Sequence, residues 1–170
     1  MKFREPDRIL GRVTDITPEF LRAQGVRALI LDVDNTLTLP EQQTVSPEIK
    51  AWLTDMKSHN IGLAIVSNNS RERIEPFARS LGVMYIAKAR KPLPGGYRKA
   101  VRLMGIAPEH AAVVGDQIYT DVLGARLSGL KAWLVEPFVE EEAAFFRLKR
   151  RLERRPIENY WRRRKENGDE

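Results

Sequence analysis

Short runs of apolar residues alternate along this chain with longer segments in which apolar residues recur every three or four positions. The short runs are typical of strands buried on both faces of a parallel sheet, and the longer segments are typical of amphipathic helices. The alternation predicts right-handed βαβ units and therefore a three-layer α/β/α domain around one parallel sheet. Five strands are predicted, at about 27–33, 61–66, 83–87, 111–116 and 131–135.

Capping residues indicate where several helices begin. Thr17-Pro18 and Ser46-Pro47 each join an N-cap residue to a proline at the first helical position. Residues 1–16 give no clear pattern. A charged helix is predicted from Glu140 onward, with a break at Pro156 because proline lacks the N–H group that a helix interior needs. The other predicted helices lie at 71–81, 96–104 and 120–127.

The composition is that of a globular protein, with 42% hydrophobic and 31% charged residues in a chain of 170. No apolar run reaches the roughly 18 residues of a membrane span, and the first residues lack the apolar core of a signal peptide. There is no cysteine, which excludes disulfides, thiolate metal sites and cysteine nucleophiles. We therefore expect a cytoplasmic protein.

Positive charge is concentrated near the C-terminus. The chain carries a net charge of +6, but residues 147–165 hold ten Lys or Arg against two acids and so carry +8. The rest of the chain therefore carries −2. This contrast predicts a domain over residues 1–138 and a basic helical tail over residues 139–170.

Aromatic residues accompany the arginines of this tail, namely Phe145, Phe146, Tyr160 and Trp161. Such a segment could bind an anionic membrane surface, which would place the protein peripherally at the inner membrane face. It could also be a solvated helix that packs on the edge of the domain. Contact with nucleic acid is a further possibility, but the chain contains no recognised nucleic-acid-binding module.

Polar residues suited to metal and phosphate chemistry follow four of the predicted strands. Asp32 and Asp34 come directly after the first apolar run, and residues two apart in a strand point the same way. The carboxyl ends of parallel strands share one edge of a sheet, where open α/β sheets bind their ligands. The residues that can meet there are Asp32, Asp34, Ser67, Asn68, a cation within 88–91, Asp116 and Asp121.

Carboxylates, a hydroxyl group and a cation in one crevice suit phosphoryl transfer. Carboxylates hold Mg²⁺, and a lysine helps to offset the charge of the transferring phosphate. One carboxylate can take the phosphoryl group and then be hydrolysed, which divides a difficult step into two. A second can protonate the leaving oxygen and later deprotonate water. These residues predict a Mg²⁺-dependent phosphomonoester hydrolase.

The same residues resemble the four signature motifs of the haloacid dehalogenase superfamily, in the right order. The matching segments are Asp32-Val33-Asp34-Asn35-Thr36-Leu37, Ser67-Asn68, Lys91-Pro92 and Gly115-Asp116-Gln117-Ile118-Tyr119-Thr120-Asp121. The resemblance implies a Rossmann-like fold. The second aspartate, two positions after the first, is similar to that of the phosphatases rather than the dehalogenases of the superfamily.

The resemblance also implies a role for each residue. Asp32 would attack phosphorus and bind Mg²⁺, while Asp34 would act as acid and base and offer its main-chain carbonyl to the metal. Asp116 would bind the metal, with Asp121 supporting directly or through water. The residues implied for phosphate binding and charge balance are Thr36, Ser67, the amide of Asn68, and Lys91.

Three of these assignments have alternatives at the level of sequence. Ser67 could cap the helix that follows it. Lys88 or Arg90 could supply the cation in place of Lys91, although Lys91 fits the Lys-Pro pattern better. Asp121 could be a first-turn helix residue that is favoured by the helix dipole.

The spacing between motifs leaves no room for a cap domain, so we expect an open site that suits large or surface-bound substrates. In size and motif the chain most resembles the bacterial YqeG-type phosphatases, which are similar to the mitochondrial phosphatidylglycerophosphate phosphatase. That resemblance implies a phospholipid head-group phosphate as substrate. Nucleic-acid ends, nucleotides and phosphoproteins are alternatives. A non-catalytic binding module is disfavoured because every motif residue is present.

Overall fold

A computed structural model describes residues 4–139 and 144–167 as one parallel sheet flanked by helices. The strands are β1 (Arg8–Leu10), β2 (Ala28–Leu31), β3 (Gly62–Val66), β4 (Met84–Ile86), β5 (Ala111–Gly115) and β6 (Lys131–Val135). The helices are α1 (Pro18–Ala23), α2 (Pro47–Ser58), α3 (Arg71–Leu81), α4 (Pro94–Met104), α5 (Leu123–Leu127) and α6 (Ala144–Asn167).

The sheet has six strands in the order β1-β6-β5-β2-β3-β4, so the predicted number of five is wrong. The additional strand, β1, is three residues long and pairs with β6 at the edge of the sheet, with Ile9 opposite Leu134. An edge strand of this length, half-buried throughout, carries too few apolar residues to produce a readable pattern. The predicted parallel three-layer fold is confirmed.

Alternate residues of the central strands face the two helical layers. In β2, Leu29 and Leu31 pack with α2 and α3, whereas Ala28 and Ile30 pack with α4 and α5. All four residues of this strand are buried. Burial on both faces explains why the strand reads as a continuous apolar run rather than an alternating one.

Helix α6 continues through Pro156, so the predicted break is wrong. Proline leaves the carbonyl of Leu152, four residues earlier, without its usual N–H partner. The Tyr119 hydroxyl donates to that carbonyl at 3.3 Å. A neighbouring side chain thus replaces the missing helical hydrogen bond, and the buried proline stays inside the helix.

Two loops that could hold a cap domain are short. Residues 32–46 join β2 to α2, and residues 87–93 join β4 to α4, and both lie wholly inside the described range 4–139. Neither contains an inserted helix, which confirms the prediction of a capless domain. No described helix is long and apolar enough to cross a bilayer. The tail aromatics Phe145 and Phe146 lie outside the residues whose side chains are described.

Candidate active site

The candidate site lies where the order of the strands reverses. From β2 the chain moves outward to β3 and β4, and then returns to the other side of β2 with β5 and β6. Ligands of open α/β sheets bind at this switch point, beyond the carboxyl ends of the strands. Asp32 and Asp116 each follow one of the two strands that flank it, and the N–H of Asp32 donates to the carbonyl of Val114 at 3.0 Å.

Lys91 joins two buried carboxylates at this point. Its Nζ lies 2.5 Å from Asp32 Oδ1 and 2.7 Å from Asp121 Oδ1. The lysine side chain is only 5% exposed, so these charged hydrogen bonds form in a region that is largely shielded from water. Such shielding strengthens each ionic contact and also makes it costly to leave any one of these charges without a partner.

Three carboxylates at the switch point can share a cation. Asp32, Asp116 and Asp121 are buried, and each offers an oxygen within 4.8 Å of the oxygens of the other two. An all-oxygen set of carboxylates suits a hard divalent ion. Lys91 balances one of these negative charges and leaves an excess that a divalent cation would compensate. The residues therefore fit a divalent metal site.

Gly115 makes space for this arrangement. A Cβ atom at this position would lie 2.3 Å from Cγ of Asp121, closer than two carbon atoms can approach. Any larger residue would push the Asp121 carboxylate away from Lys91. At the end of β5, Gly115 thus leaves room for the Asp121 carboxylate, and the next residue, Asp116, supplies another carboxylate of the cluster.

Burial and neighbouring charges set the ionisation of the cluster. Burial raises the pKa of Asp32 to about 6, an effect that Lys91 opposes and Asp121 reinforces. For Lys91, burial favours the neutral amine, but the charges of Asp121 and Asp32 outweigh it and hold the pKa of the lysine well above its ordinary value. The lysine therefore stays charged while Asp32 binds its proton more tightly than an exposed aspartate does.

Metal binding is expected to strengthen as the pH rises through 6. The pKa of Asp32 rises on folding from 3.8 to about 6. At pH values between these two, the folded protein holds a proton that the unfolded chain has released. The metal-free protein should therefore lose stability as the pH rises through that range. A cation must displace this proton, so its affinity should increase by roughly tenfold per pH unit below 6.

Thermal melts of EDTA-treated protein with and without MgCl₂ would test this expectation. The metal-induced increase in melting temperature should be larger at about pH 7.5 than at about pH 5. An Asp32→Asn variant lacks the titrating carboxylate and should not show this dependence. Equal shifts in the wild-type protein at the two pH values would contradict the expectation.

Asp34 is held by a different group of residues. Arg73, in the first turn of α3, contacts both carboxylate oxygens, and its Nη1 lies 3.2 Å from Oδ2. Asn69 Nδ2 donates to the same oxygen at 2.8 Å. The Asp34 side chain is 26% exposed, in contrast to the buried cluster. Its carboxylate is not one of the three that form the candidate metal site.

Three residues expected to bind phosphate follow the carboxyl ends of β2 and β3, namely Thr36, Ser67 and Asn68. Thr36 is buried, and its Oγ1 has no hydrogen-bond partner within the described part of the chain. Ser67 is buried at the end of β3 and accepts a hydrogen bond from the N–H of Asn69 at 3.2 Å. The Asn68 side chain accepts from the N–H of Lys91 at 2.6 Å, so it fixes the loop that carries the lysine.

The geometry distinguishes between the alternatives left open by the sequence. Helix α3 begins at Arg71 with Ser70 at the N-cap position, so Ser67 does not cap it. Lys91 supplies the cation, whereas Lys88 and Arg90 are exposed. Asp121 points into the cluster and is 1% exposed, unlike a solvated first-turn residue.

Sequence reasoning missed the contacts that hold Asp34 and the turn before α5. Arg73 carries no local signal, because a single arginine in the first turn of an amphipathic helix is common. Glu153 of α6 is buried and accepts a hydrogen bond from the N–H of Ile118 at 2.8 Å. Its position in a highly charged tail does not suggest burial. The sequence signal that could have drawn attention to it is that a single acid stands among arginines on both sides.

Comparisons with known proteins identify the family of this chain. The model of the haloacid dehalogenase-like hydrolase family matches residues 13–129. The chain is 39% identical over 154 residues to the probable phosphatase YqeG of Bacillus subtilis (strain 168), covering 91% of this chain and 90% of that protein. It is 25% identical over 147 residues to phosphatidylglycerophosphate phosphatase 1, chloroplastic/mitochondrial, of Arabidopsis thaliana, covering 79% of this chain and 42% of that protein.

Solved structures share the fold. The cobalt-bound form of deoxy-D-mannose-octulosonate 8-phosphate phosphatase from Haemophilus influenzae gives a TM-score of 0.52 at 13% identity, over 75% of this chain and 77% of that chain. An uncharacterized protein from Listeria monocytogenes serotype 4b gives 0.55 at 20% identity, over 69% of this chain and 85% of that chain.

The parallel three-layer fold and the carboxylate–lysine cluster fit a phosphatase. The named relatives and the family match support the same class. The chain belongs to the haloacid dehalogenase-like hydrolase family, as the order of its motifs predicted.

Proposed function

We propose that this phosphatase hydrolyses phosphomonoesters in the presence of Mg²⁺ through an aspartyl-phosphate on Asp32. The observation that carries the proposal is the buried cluster of Asp32, Lys91, Asp116 and Asp121 at the switch point of the sheet. A single lysine among three carboxylates suits a site built to receive a divalent cation and a phosphate group.

The reaction would proceed in two displacements. In the first, an oxygen of Asp32 forms a bond to phosphorus while the bond from phosphorus to the leaving oxygen breaks, and Asp34 gives that oxygen a proton. In the second, Asp34 takes a proton from water, the water oxygen bonds to phosphorus, and the bond to Asp32 breaks. Inorganic phosphate leaves, and both aspartates return to their initial states.

The surrounding residues would bind and orient the phosphoryl group. The Thr36 hydroxyl, the Ser67 hydroxyl and the main-chain amide of Asn68 are available hydrogen-bonding groups for phosphate oxygens. Lys91 would offset the charge shared between phosphate and Asp32. A Mg²⁺ ion held by Asp32, Asp116, Asp121 and the main-chain carbonyl of Asp34 would supply additional compensation of phosphate charge when bound.

We further propose a phospholipid head-group phosphate as the substrate, with phosphatidylglycerophosphate converted to phosphatidylglycerol and inorganic phosphate. The named phosphatidylglycerophosphate phosphatases of Arabidopsis thaliana and Chlamydomonas reinhardtii are 25% and 26% identical to this chain over most of its length. The capless site also supports this choice, since an open site admits a substrate that is embedded in a surface.

The basic tail, which we propose extends over residues 139–170 beyond a catalytic domain of 1–138, would assist at an anionic membrane. Three arginines, Arg4, Arg151 and Arg155, line a groove of about 550 Å³ between α6 and the N-terminal segment. Arg4 also lies over the ring of Tyr119, 5.3 Å from its centroid. Glu5 is the one acid among the described residues that line the groove, so three guanidinium groups outnumber it and the positive balance suits phosphate-bearing lipids.

A panel of substrates would test the lipid assignment. We expect the highest kcat/KM with phosphatidylglycerophosphate in mixed micelles, compared with nucleotides, 3′-phosphorylated DNA and a phosphopeptide. A preference of about tenfold or more corresponds to 1.4 kcal/mol of additional transition-state binding. Preference for any of the other three substrates would reject the lipid assignment while leaving the phosphatase chemistry intact.

A further inference from the structure

Four exposed apolar side chains lie on loops that follow the carboxyl ends of strands, as the candidate active site does. Leu39 lies in the loop after β2, Leu93 in the loop after β4, and Phe138 and Val139 after β6. Their exposed fractions are 37%, 56%, 41% and 43%. Because these three loops leave the carboxyl ends of parallel strands, the four side chains share the edge of the sheet that carries Asp32. We call these four residues the apolar rim.

Polar contacts hold the three rim loops against the segment of the first two aspartates, and Lys91, two residues before Leu93, lies with its Nζ 2.5 Å from Asp32 Oδ1. The N–H of Val139 donates to Asn35 Oδ1 at 3.2 Å. The N–H of Glu41, two residues after Leu39, donates to Asp34 Oδ1 at 3.3 Å. The rim is therefore fixed relative to the catalytic residues, and whatever covers the rim also covers the entrance to the site.

Single exposed apolar side chains are scattered over most soluble proteins and need no explanation. Several that share one edge beside an open site indicate an interaction surface. We propose that the apolar rim inserts into the interfacial region of an anionic phospholipid bilayer, so that the site receives its substrate directly from the membrane surface. This inference rests on the proposed lipid phosphatase function and names the surface that would deliver the substrate.

The charge of the tail favours a bilayer over a second copy of this chain as the occupant. Arg151 and Arg155 of α6 are exposed, and with Arg4 they line the groove beside Tyr119, which is two residues from Asp121. Two copies that met through their rims would bring two strongly basic tails together. An anionic bilayer would attract the same tail while its interfacial region accepts apolar side chains.

Helix α4 offers a matched control. Leu93 at its start and Leu103 near its end have the same exposed fraction, 56%. Phe138 of the rim is likewise matched by Leu127 at the end of α5, since both are 41% exposed. Crossover helices run antiparallel to the strands, so Leu103 and Leu127 lie toward the opposite edge of the sheet.

The experiment compares two double variants of the full chain, Leu93→Ser with Phe138→Ser and Leu103→Ser with Leu127→Ser. Sedimentation with vesicles of equal parts phosphatidylglycerol and phosphatidylcholine measures membrane binding. The rim variant should bind at least about tenfold more weakly than the wild-type protein, because two apolar side chains no longer insert. The control variant should bind within about twofold of the wild-type protein, and both should retain turnover of a soluble aryl phosphate.

Three other outcomes overturn the inference, and a fourth separates it from the proposed substrate. An equal loss of vesicle binding in both variants would mean that the rim contributes no more to membrane binding than other exposed apolar side chains. Unchanged vesicle binding in the rim variant would leave the tail charges as the sole attachment. Self-association of the wild-type protein that the rim variant abolishes, measured by sedimentation velocity, would assign the rim to a second copy. Failure of the wild-type protein to hydrolyse the lipid, with rim-dependent binding intact, would reject the substrate but not the docking surface.

Discussion

Replacing Asp32 with asparagine is expected to reduce turnover of an aryl phosphate by at least about 10⁴-fold, because the amide cannot form the acyl phosphate on which the reaction depends. Phosphate release in the presence of Mg²⁺ would measure the loss. Denatured wild-type enzyme quenched during turnover should carry covalent phosphate, whereas the variant should carry none.

The fold should survive this substitution. Burial raises the pKa of Asp32 to about 6, which shows that its charge is costly in the metal-free protein. A neutral amide of the same shape removes that cost, so the melting temperature of the metal-free variant should equal or exceed that of the wild-type protein. Turnover equal to that of the wild-type enzyme would remove Asp32 as the nucleophile.

Replacing Asp34 with asparagine is expected to lower the rate of the first displacement far more for alkyl phosphates than for aryl phosphates. An alkoxide needs a proton to leave, whereas a nitrophenolate leaves readily without one, so loss of the acid should cost about 10²–10⁴-fold with an alkyl substrate. Hydrolysis of the aspartyl-phosphate needs the same residue as base. With an aryl phosphate, the variant should therefore show a burst of about one product per enzyme followed by slow turnover.

Rapid-mixing measurement of nitrophenolate would reveal this burst, and glycerol 3-phosphate would serve as the alkyl substrate. Asp55→Asn is a suitable control, because Asp55 is an exposed aspartate on α2 that pairs with His59. Arg73→Gln should produce a weaker form of the same selectivity, since Arg73 holds the Asp34 carboxylate. Equal slowing of both substrates without a burst would remove Asp34 from proton transfer.

The central strands and the order of the motifs could be predicted because they follow from local patterns. β2 is buried on both faces and reads as an uninterrupted apolar run before Asp32. Its position beside β5 then brings Asp116 close without any signal from intervening residues. Because parallel sheets present their carboxyl ends at one edge, topology alone was enough to place these residues together.

Features that depend on contacts between distant segments could not be predicted. The three residues of β1 become a strand by pairing with β6, and their own pattern is too short to indicate it. Pro156 would end an isolated helix, and it is tolerated because Tyr119 donates to the carbonyl that the proline leaves without a partner. The clamp of Arg73 on Asp34 joins residues 39 positions apart and has no fixed spacing that a sequence could reveal.

The hydrogen bond from Ile118 to Glu153 has a consequence for the division between domain and tail. Ile118 begins the turn that carries Asp121, so a side chain from the appended helix supports the backbone from which one of the cluster carboxylates projects. Removing the helix would strip that support and uncover a buried N–H group. Helix α6 therefore stabilises the position of the Asp121 carboxylate, and a shift of the helix register at Glu153 should displace that carboxylate from Lys91.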